Sequence, residues 1–239
     1  MSIAGKLTTI AENVPKVYEK GKKDEYDKFW DANQDYGNRT NYQSGFQGSF
    51  GWTKDNFYPK YDIKPEGNAS QMFYSWEDKE KHTIDLAQRL EDCGVVLDTS
   101  KATSLQSAFN YGRFTRIPAV DITGTTIANA GLFGNNWGSL KTIDKIIMNE
   151  NNQIANTWFS TSSKLENLTI EGTIGQNGFS VSGCDKLTHD SLMSIVNALK
   201  DYSEDTSGTE YIVTLGSTNI AKLTDEELES IETKGWQYK

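Results

Sequence analysis

The segment Leu140-Lys141-Thr142-Ile143-Asp144-Lys145-Ile146 has two partial copies elsewhere in the chain. The downstream copy is Leu165-Glu166-Asn167-Leu168-Thr169-Ile170, and the upstream copy is Phe114-Thr115-Arg116-Ile117-Pro118-Ala119-Val120. Leu or Phe therefore recurs at positions 114, 140, 165 and 187, at intervals of 26, 25 and 22. A period of this size is typical of a solenoid, in which stacked units share one continuous core. Because solenoids present extended binding surfaces, the repeat favours binding over catalysis.

A second set of positions repeats with nearly the same period. Phe109, Phe133 and Phe159 recur at intervals of 24 and 26, each within a short stretch rich in Gly, Asn and Ser. In three units an Asp also precedes a Phe at a spacing of 11 or 12, which predicts a repeated strand, turn and aromatic residue. We expect these repeats over residues 61–187, with a helix inserted from about Glu77 to Cys93.

Residues 1–32 are expected to form a helical segment for anchoring or oligomerisation. Their apolar residues follow the alternating spacing of a coiled-coil seam: Ile3, Leu7, Ile10, Val14 and Val17. Pro15 interrupts this seam, so we expect a break there and a second helix that ends near Trp30. Two interpretations stay open, namely a self-association bundle and an amphipathic helix that packs on its own domain.

Residues 33–60 are rich in Gly and aromatic residues. They are expected to be a connector or an N-terminal cap of the repeats, since terminal repeats need atypical covers. The alternative is an aromatic surface that binds sugars or peptides. The binding candidates are the aromatic residues of this segment together with two tryptophans of the repeats: Tyr42, Phe46, Phe50, Trp52, Trp137 and Trp158.

The pattern changes over residues 188–239, which are expected to form a C-terminal cap of helix, strand and helix. Thr188 is placed to cap a helix that runs from His189 to about Tyr202. A strand is predicted over Tyr211-Ile212-Val213-Thr214-Leu215-Gly216. Thr224 and Glu227 have the spacing of a capping box for a last helix. The predicted fold class is therefore α+β: an N-terminal helical segment, a leucine-rich-repeat solenoid and this cap.

Composition and charge disfavour several functions. The 239 residues carry a formal net charge of -9, which disfavours nucleic acid and anionic membranes as partners. No apolar run approaches the ~20 residues that a membrane span requires. Met1 is followed by Ser2-Ile3-Ala4-Gly5-Lys6-Leu7, without the apolar stretch of a signal peptide, so secretion by a classical leader is not expected.

The residues that usually carry catalysis or metal binding are few and poorly spaced. His82 and His189 lack the spacing of a transition-metal site, and Cys93 and Cys184 lie far apart. We expect no catalytic residue, no metal and no cofactor, and two ordinary thiols.

Asp98, Asp121 and Asp144 recur at an even spacing, once in each repeat. Carboxylates stacked in this way suit turn caps that accept hydrogen bonds from backbone N–H groups. They also suit a calcium site or a glycosidase pair. The turn-cap interpretation is the favoured one.

Several stretches are similar to known proteins. The units Leu140 to Phe159 and Leu165 to Val181 resemble the BspA-type leucine-rich repeat. The segments Met1 to Tyr18 and Leu187 to Leu199 look like the two ends of phage and prophage structural proteins from gut Firmicutes. The resemblance implies a tail, fibre or baseplate component, made in the bacterial cytoplasm and exposed on the virion. It carries over no catalytic residues.

The leading hypothesis is a non-enzymatic virion or prophage structural protein for host attachment or subunit binding. Its partners would be other virion proteins or a bacterial surface glycan or protein, and a homo-oligomer, for instance a trimer, would suit a fibre. Two alternatives stay open. One is a carbohydrate-acting enzyme on a repeat scaffold, and the other is an intracellular scaffold that binds peptides.

Overall fold

The structure is a computed structural model that describes residues 28, 30–32, 34, 43–46, 57–75, 83–136, 138–159 and 161–239. Trp30, Asp31 and Ala32 are helical, in agreement with a helix that ends near this point. The five residues of the predicted coiled-coil seam, Ile3 to Val17, lie outside the described residues.

The described chain is a mixture of strands in parallel sheets and a few helices. The strands are β1 (Gly67–Asn68), β2 (Ile84–Asp85), β3 (Ala102–Ser104), β4 (Phe114–Ile117), β5 (Val120–Asp121), β6 (Thr142–Met148), β7 (Asn167–Gly172), β8 (Tyr211–Val213) and β9 (Trp236–Tyr238). The helices are α1 (Leu86–Cys93), α2 (His189–Ala198), α3 (Ser217–Ile220) and α4 (Asp225–Thr233).

The largest sheet joins the three copies of the repeated segment. β2 pairs with β4, β4 and β5 pair with β6, and β6 pairs with β7, all in parallel. β4 and β5 lie against the same side of β6 as one strand interrupted at Pro118 and Ala119. Proline has no N–H to donate, so a break in the ladder is expected at this point. Further parallel pairs join β1 with β3 and β8 with β9.

A column of phenylalanine rings forms the centre of the core. Its members, here called the phenylalanine column, are Phe46, Phe73, Phe109, Phe133, Phe159 and Phe179. The first five stack with centroid distances of 5.2, 5.5, 5.8 and 5.7 Å and interplanar angles of 9–16°. Phe179 turns its ring edge to Phe159, at 61°. All six are buried, so each turn of chain (here called a rung) contributes one ring to a shared core.

The predicted inserted helix is present from Leu86 to Cys93, and residues 77–82 of that prediction lie outside the described residues. α1 begins at Leu86, and Asp85 caps it by accepting a hydrogen bond from the N–H of Gln88 at 2.8 Å. Ile84 was predicted to lie on the helix but belongs to β2, because its N–H donates to the carbonyl of Arg113. The helix makes this rung longer than the others, and Phe73 and Phe109 still stack across it.

The C-terminal elements largely follow the sequence. Thr188 caps α2, and the capping box of Thr224 and Glu227 opens α4. α2 ends at Ala198, earlier than predicted, because Leu199 leaves the helix to form a parallel bridge with Ile174. β9 was not predicted: residues 236–238 pair with β8, and the two strands form a small third sheet.

Helix α2 covers the edge of the main sheet at β7. The hydroxyls of Ser191 and Ser194 accept hydrogen bonds from the N–H groups of Leu168 and Ile170, at 2.9 and 2.8 Å. The same serine hydroxyls also lie 3.2 and 3.4 Å from the carbonyl oxygens of Glu166 and Ile170. Unpaired backbone N–H and C=O groups at a sheet edge can pair with another chain. At β7 the two serine hydroxyls bond to these N–H groups instead.

The two thiols differ in their surroundings, and this difference can be tested. Cys184 is fully buried, and burial raises the pKa of its thiol to about 12. Cys93 is half-buried, and burial raises the pKa of its thiol as well. Because the thiolate is the reactive form, a raised pKa keeps both thiols protonated and slow at pH 8.

We expect iodoacetamide to modify native Cys184 on the order of 100-fold more slowly than Cys93, because only Cys184 combines full burial with a strongly raised pKa. Mass spectrometry after timed alkylation at pH 8 measures both rates. In denaturant the two rates should become equal, which serves as the control. Equal rates in the native protein would contradict the burial of Cys184.

Candidate binding site on the polar face

A polar face lies on the side of the rungs formed by β1 and β3. The apolar residues of this segment point inward, and Ala69 and Ala102 are fully buried. Asn68, Ser70 and Ser104 alternate with them and remain partly exposed. The hydroxyls of Ser70 and Ser104, on successive rungs, lie 2.6 Å apart. The parallel pairing therefore brings like polar groups of two rungs into contact.

A groove of about 330 Å³ runs along this face, and we call it the amide groove. The described part of its lining consists of side-chain amides and hydroxyls: Gln43, Asn68, Ser70, Gln71, Ser104, Gln106 and Ser107. None of these lining residues carries a charge. The groove spans three rungs, since its members precede Phe46, Phe73 and Phe109 of the column.

Backbone hydrogen bonds between rungs fix the positions of the groove residues. The N–H of Ser44 donates to the carbonyl of Ser70 at 2.9 Å, and the N–H of Gln71 donates to the carbonyl of Gln106 at 2.8 Å. Ser44, Gln71 and Ser107 have positive φ angles of 61°, 58° and 54°, each two positions before a phenylalanine of the column. The same local turn thus recurs on three rungs and holds the groove in one conformation.

The groove side chains keep capacity for a ligand. The Oδ1 of Asn68 accepts a hydrogen bond from the N–H of Ser70 at 3.0 Å, which orients the amide. Its Nδ2 group then has no partner among the described residues. The Oε1 of Gln71 lies 3.4 Å from the hydroxyl of Ser44, a long contact. Gln106 is exposed, so its amide can meet a ligand from solvent.

The groove ends at the next rung, where the polar side chain turns inward. Asn129 is fully buried, and its Oδ1 accepts a hydrogen bond from the N–H of Leu105 at 2.7 Å. Its Nδ2 donates to the hydroxyl of Thr125 at 3.0 Å. The corresponding segment of this rung is Ala128-Asn129-Ala130-Gly131-Leu132-Phe133, so it offers no outward amide. The polar face is therefore a local feature and not a property of every rung.

Two of the aromatic residues predicted to bind, Phe46 and Trp158, are buried and do not line this groove. Phe46 and Trp158 were expected to be exposed, but their exposed fractions are 0% and 1%. Phe46 belongs to the phenylalanine column, and Trp158 donates its Nε1–H to the carbonyl of Ala128 at 2.9 Å. Both stabilise the core, and neither can contact a partner. The other candidates, Tyr42, Phe50, Trp52 and Trp137, lie outside the described residues.

Two of the three repeated carboxylates act as turn caps, as predicted. Asp98 accepts hydrogen bonds from the hydroxyl and the N–H of Ser100, at 2.6 and 3.1 Å, and these bonds hold its pKa below the ordinary value. Asp121 accepts from the hydroxyl and the N–H of Thr123, at 2.6 and 2.8 Å. Each carboxylate thereby stabilises the turn that begins at its own position.

The turn-cap interpretation is wrong for Asp144. This residue lies inside β6, where its two oxygens accept hydrogen bonds from Nε and Nη2 of Arg116, at 2.6 and 2.9 Å. β6 continues beyond Asp144 as far as Met148. The turn after it is capped by Asn149, whose Oδ1 accepts from the N–H of Asn151 at 3.0 Å. The three carboxylates are evenly spaced in the sequence, but Asp144 does not occupy the same structural position in its rung as Asp98 and Asp121 do in theirs.

The sequence does contain a signal for the amide groove, although the repeat of Leu and Phe does not show it. The six residues that end at Phe73 are Asn68-Ala69-Ser70-Gln71-Met72-Phe73, and those that end at Phe109 are Ser104-Leu105-Gln106-Ser107-Ala108-Phe109. Both hexapeptides are rich in amides and hydroxyls, whereas the one that ends at Phe133 is largely apolar. Alignment of the rungs on their phenylalanines separates these polar rungs from the rest.

Comparison of the chain with protein-family models, curated proteins and solved structures gives no match. Within the described ranges, no helix is both long and apolar enough to cross a membrane. The described residues likewise contain no group of three or more His, Cys, Asp or Glu side chains that could hold a metal ion.

Proposed function

We propose that this protein is a non-enzymatic attachment or assembly protein, and that its rungs form a solenoid of BspA-type leucine-rich repeats. Its role would be that of a virion or prophage component of the tail, fibre or baseplate, which binds a host surface or a neighbouring subunit. The observation that carries the proposal is the amide groove, an uncharged polar surface assembled from successive rungs.

The stacking of the rungs supports the solenoid part of the proposal. The three copies of the repeated segment lie side by side in parallel, as β4 with β5, β6 and β7. The phenylalanine column supplies one ring for each rung. In such an array, equivalent positions on neighbouring rungs form a continuous face, which suits a repeating or extended ligand.

Oligomerisation through residues 1–32 would complete this function. Several copies on one particle would convert weak single contacts into strong overall binding, by raising the effective concentration of each site. The sequence pattern from Ile3 to Val17 supports this part of the proposal.

The proposal is tested by locating the protein in its source bacterium. Particles released after prophage induction are labelled with a gold-conjugated antibody against the chain and viewed by electron microscopy. We expect label at one defined position of the particle, with unlabelled particles from a strain that lacks the gene as the control. Label confined to the cytoplasm, with none on particles, would refute the virion role.

The carbohydrate-acting alternative predicts cleavage of a polysaccharide that depends on Asp121 or Asp144. We expect no such cleavage. Asp121 already accepts two hydrogen bonds from Thr123, and Asp144 is bound by Arg116. The wild-type protein, Asp121→Asn and Asp144→Asn should all leave the length of a polysaccharide unchanged, as measured by size-exclusion chromatography.

The same two variants should differ in stability. Asp144→Asn loses a charge-assisted pair with Arg116 that is about one third exposed, so we expect a loss of about 1 kcal/mol in the free energy of unfolding. Asp121→Asn keeps an oxygen that can cap the turn, and its loss should be smaller. Polysaccharide cleavage that disappears in either variant would instead establish the enzyme.

A further inference from the structure

We propose that the amide groove binds a neutral glycan, and this inference rests on the attachment function proposed above. The ligand would be a stretch of uncharged sugar units that lies across the rungs and forms hydrogen bonds with Asn68, Gln71 and Gln106. The charge, the hydrogen-bonding groups and the geometry of the groove support such a ligand.

The charge of the groove and of the chain selects an uncharged ligand. The seven lining residues that the structure describes carry no charge, so they offer no counter-ion to an anionic sugar or a charged peptide. The formal net charge of the chain is -9, which repels acidic polymers at long range. A neutral ligand avoids both penalties.

The hydrogen-bonding groups of the groove match those of a sugar. Each sugar hydroxyl both donates and accepts, and so do the serine hydroxyls and the amide side chains. The contact of Ser70 with Ser104 and the bond from Ser70 N–H to Asn68 fix these groups before a ligand arrives. Preorganised polar groups lose less conformational entropy on binding, which raises the affinity.

The geometry of the groove fits a short part of a chain polymer. Neighbouring parallel strands lie about 4.8 Å apart, a distance close to the length of one pyranose unit. Ser70 contacts Ser104 on the next rung, and the N–H of Gln71 donates to the carbonyl of Gln106 on the same two rungs. Similar side chains therefore recur from one rung to the next along the groove. Its volume of about 330 Å³ is at the lower end of small-molecule sites, which suits one or two sugar units.

A peptide ligand fits the groove less well. Peptides are recognised through buried apolar anchors, charged contacts or pairing with a strand edge. Among the described residues, the lining of the amide groove provides neither an apolar anchor nor a charge. The backbone N–H groups of Ala69 and Gln71 already bond to the next rung.

The test measures binding of the full-length protein to purified polysaccharides. Affinity electrophoresis is run in gels that contain neutral polymers (dextran, mannan, galactan) or anionic ones (polygalacturonate, teichoic acid). We expect at least one neutral polymer to retard the protein and the anionic polymers to leave its mobility unchanged. The positive polymer is then titrated by calorimetry as its oligosaccharide.

Substitution of the exposed amides locates the site. Each hydrogen bond contributes about 1 kcal/mol, so Gln106→Ala should weaken binding about 5-fold, and the double variant Gln71→Ala with Gln106→Ala about 30-fold. Gln237→Ala is the matched control, since Gln237 is an exposed amide in β9 and not part of the groove. The control should bind like the wild type, and unchanged thermal unfolding would show that Gln106→Ala remains folded.

Three outcomes would overturn the glycan site: no neutral polymer retards the protein, an anionic polymer or a peptide binds in the groove instead, or Gln106→Ala binds as tightly as Gln237→Ala. The electron microscopy experiment separates this failure from that of the proposed function. Labelled particles without glycan binding would leave an assembly role and remove the ligand, whereas unlabelled particles would remove the attachment function itself.

Discussion

Phe133→Ala is expected to lower the free energy of unfolding by about 3–5 kcal/mol, the usual cost of removing a buried phenylalanine side chain. Phe133 is fully buried between Phe109 and Phe159, with centroid distances of 5.8 and 5.7 Å. The substitution leaves a cavity in the middle of the column and removes two stacking contacts. Chemical denaturation followed by circular dichroism measures the loss.

Two further variants provide reference values for the stability loss of Phe133→Ala. Phe133→Leu keeps much of the buried apolar volume and loses the stacking, so its cost should be less than half as large. Ile127→Ala, at a residue that is 37% exposed, should cost less than about 1 kcal/mol. A Phe133→Ala variant as stable as Ile127→Ala would contradict the column as the centre of the core.

Gly172→Ala is expected to destabilise the protein by more than about 3 kcal/mol, because two penalties act together. The φ angle of Gly172 is +101°, a conformation that side chains rarely adopt. A Cβ atom there would also lie 1.9 Å from the carbonyl oxygen of Met148, with which Gly172 pairs between β7 and β6. The strands must separate at this point to relieve the clash, and thermal unfolding should show the loss.

Gly208→Ala separates the two penalties. Gly208 also has a positive φ, +77°, but nothing lies within 4 Å of a Cβ added there. We therefore expect only the conformational cost, about 1 kcal/mol. If both variants lose the same stability, the close approach of Met148 to Gly172 does not exist in solution.

The parts of the fold that follow from local sequence were predictable. A cap depends on residues three apart, so Thr188, Thr224 and Glu227 identified their helices directly. The period of the phenylalanines was visible because each rung must contribute one ring to the shared core. The predicted period covered Phe109, Phe133 and Phe159. It did not extend to Phe73, which stacks on Phe109 across the longer rung that contains α1.

The parts that depend on contacts between distant segments were not predictable in the same way. β9 exists because residues 236–238 meet β8, a neighbour that no local pattern shows. Tryptophan is a residue type often found in binding sites, which is why Trp158 was a candidate. Its ring is buried in the core, and its N–H donates to a backbone carbonyl inside the protein. Asp144 and Asp121 share a spacing, but a partner from another strand, Arg116, decides what Asp144 does.

The two serines of α2 block one edge of the main sheet, the edge formed by β7. Since Ser191 and Ser194 already bond to the N–H groups of Leu168 and Ile170, no incoming strand can pair there without first displacing the helix. The ladder of the main sheet therefore ends at β7, whereas the rungs continue beyond it through the parallel bridges of Ile174 with Leu199 and of Ser180 with Thr214. Strand addition at an open sheet edge is one route by which copies of a protein join into fibrils, and α2 closes that route at β7.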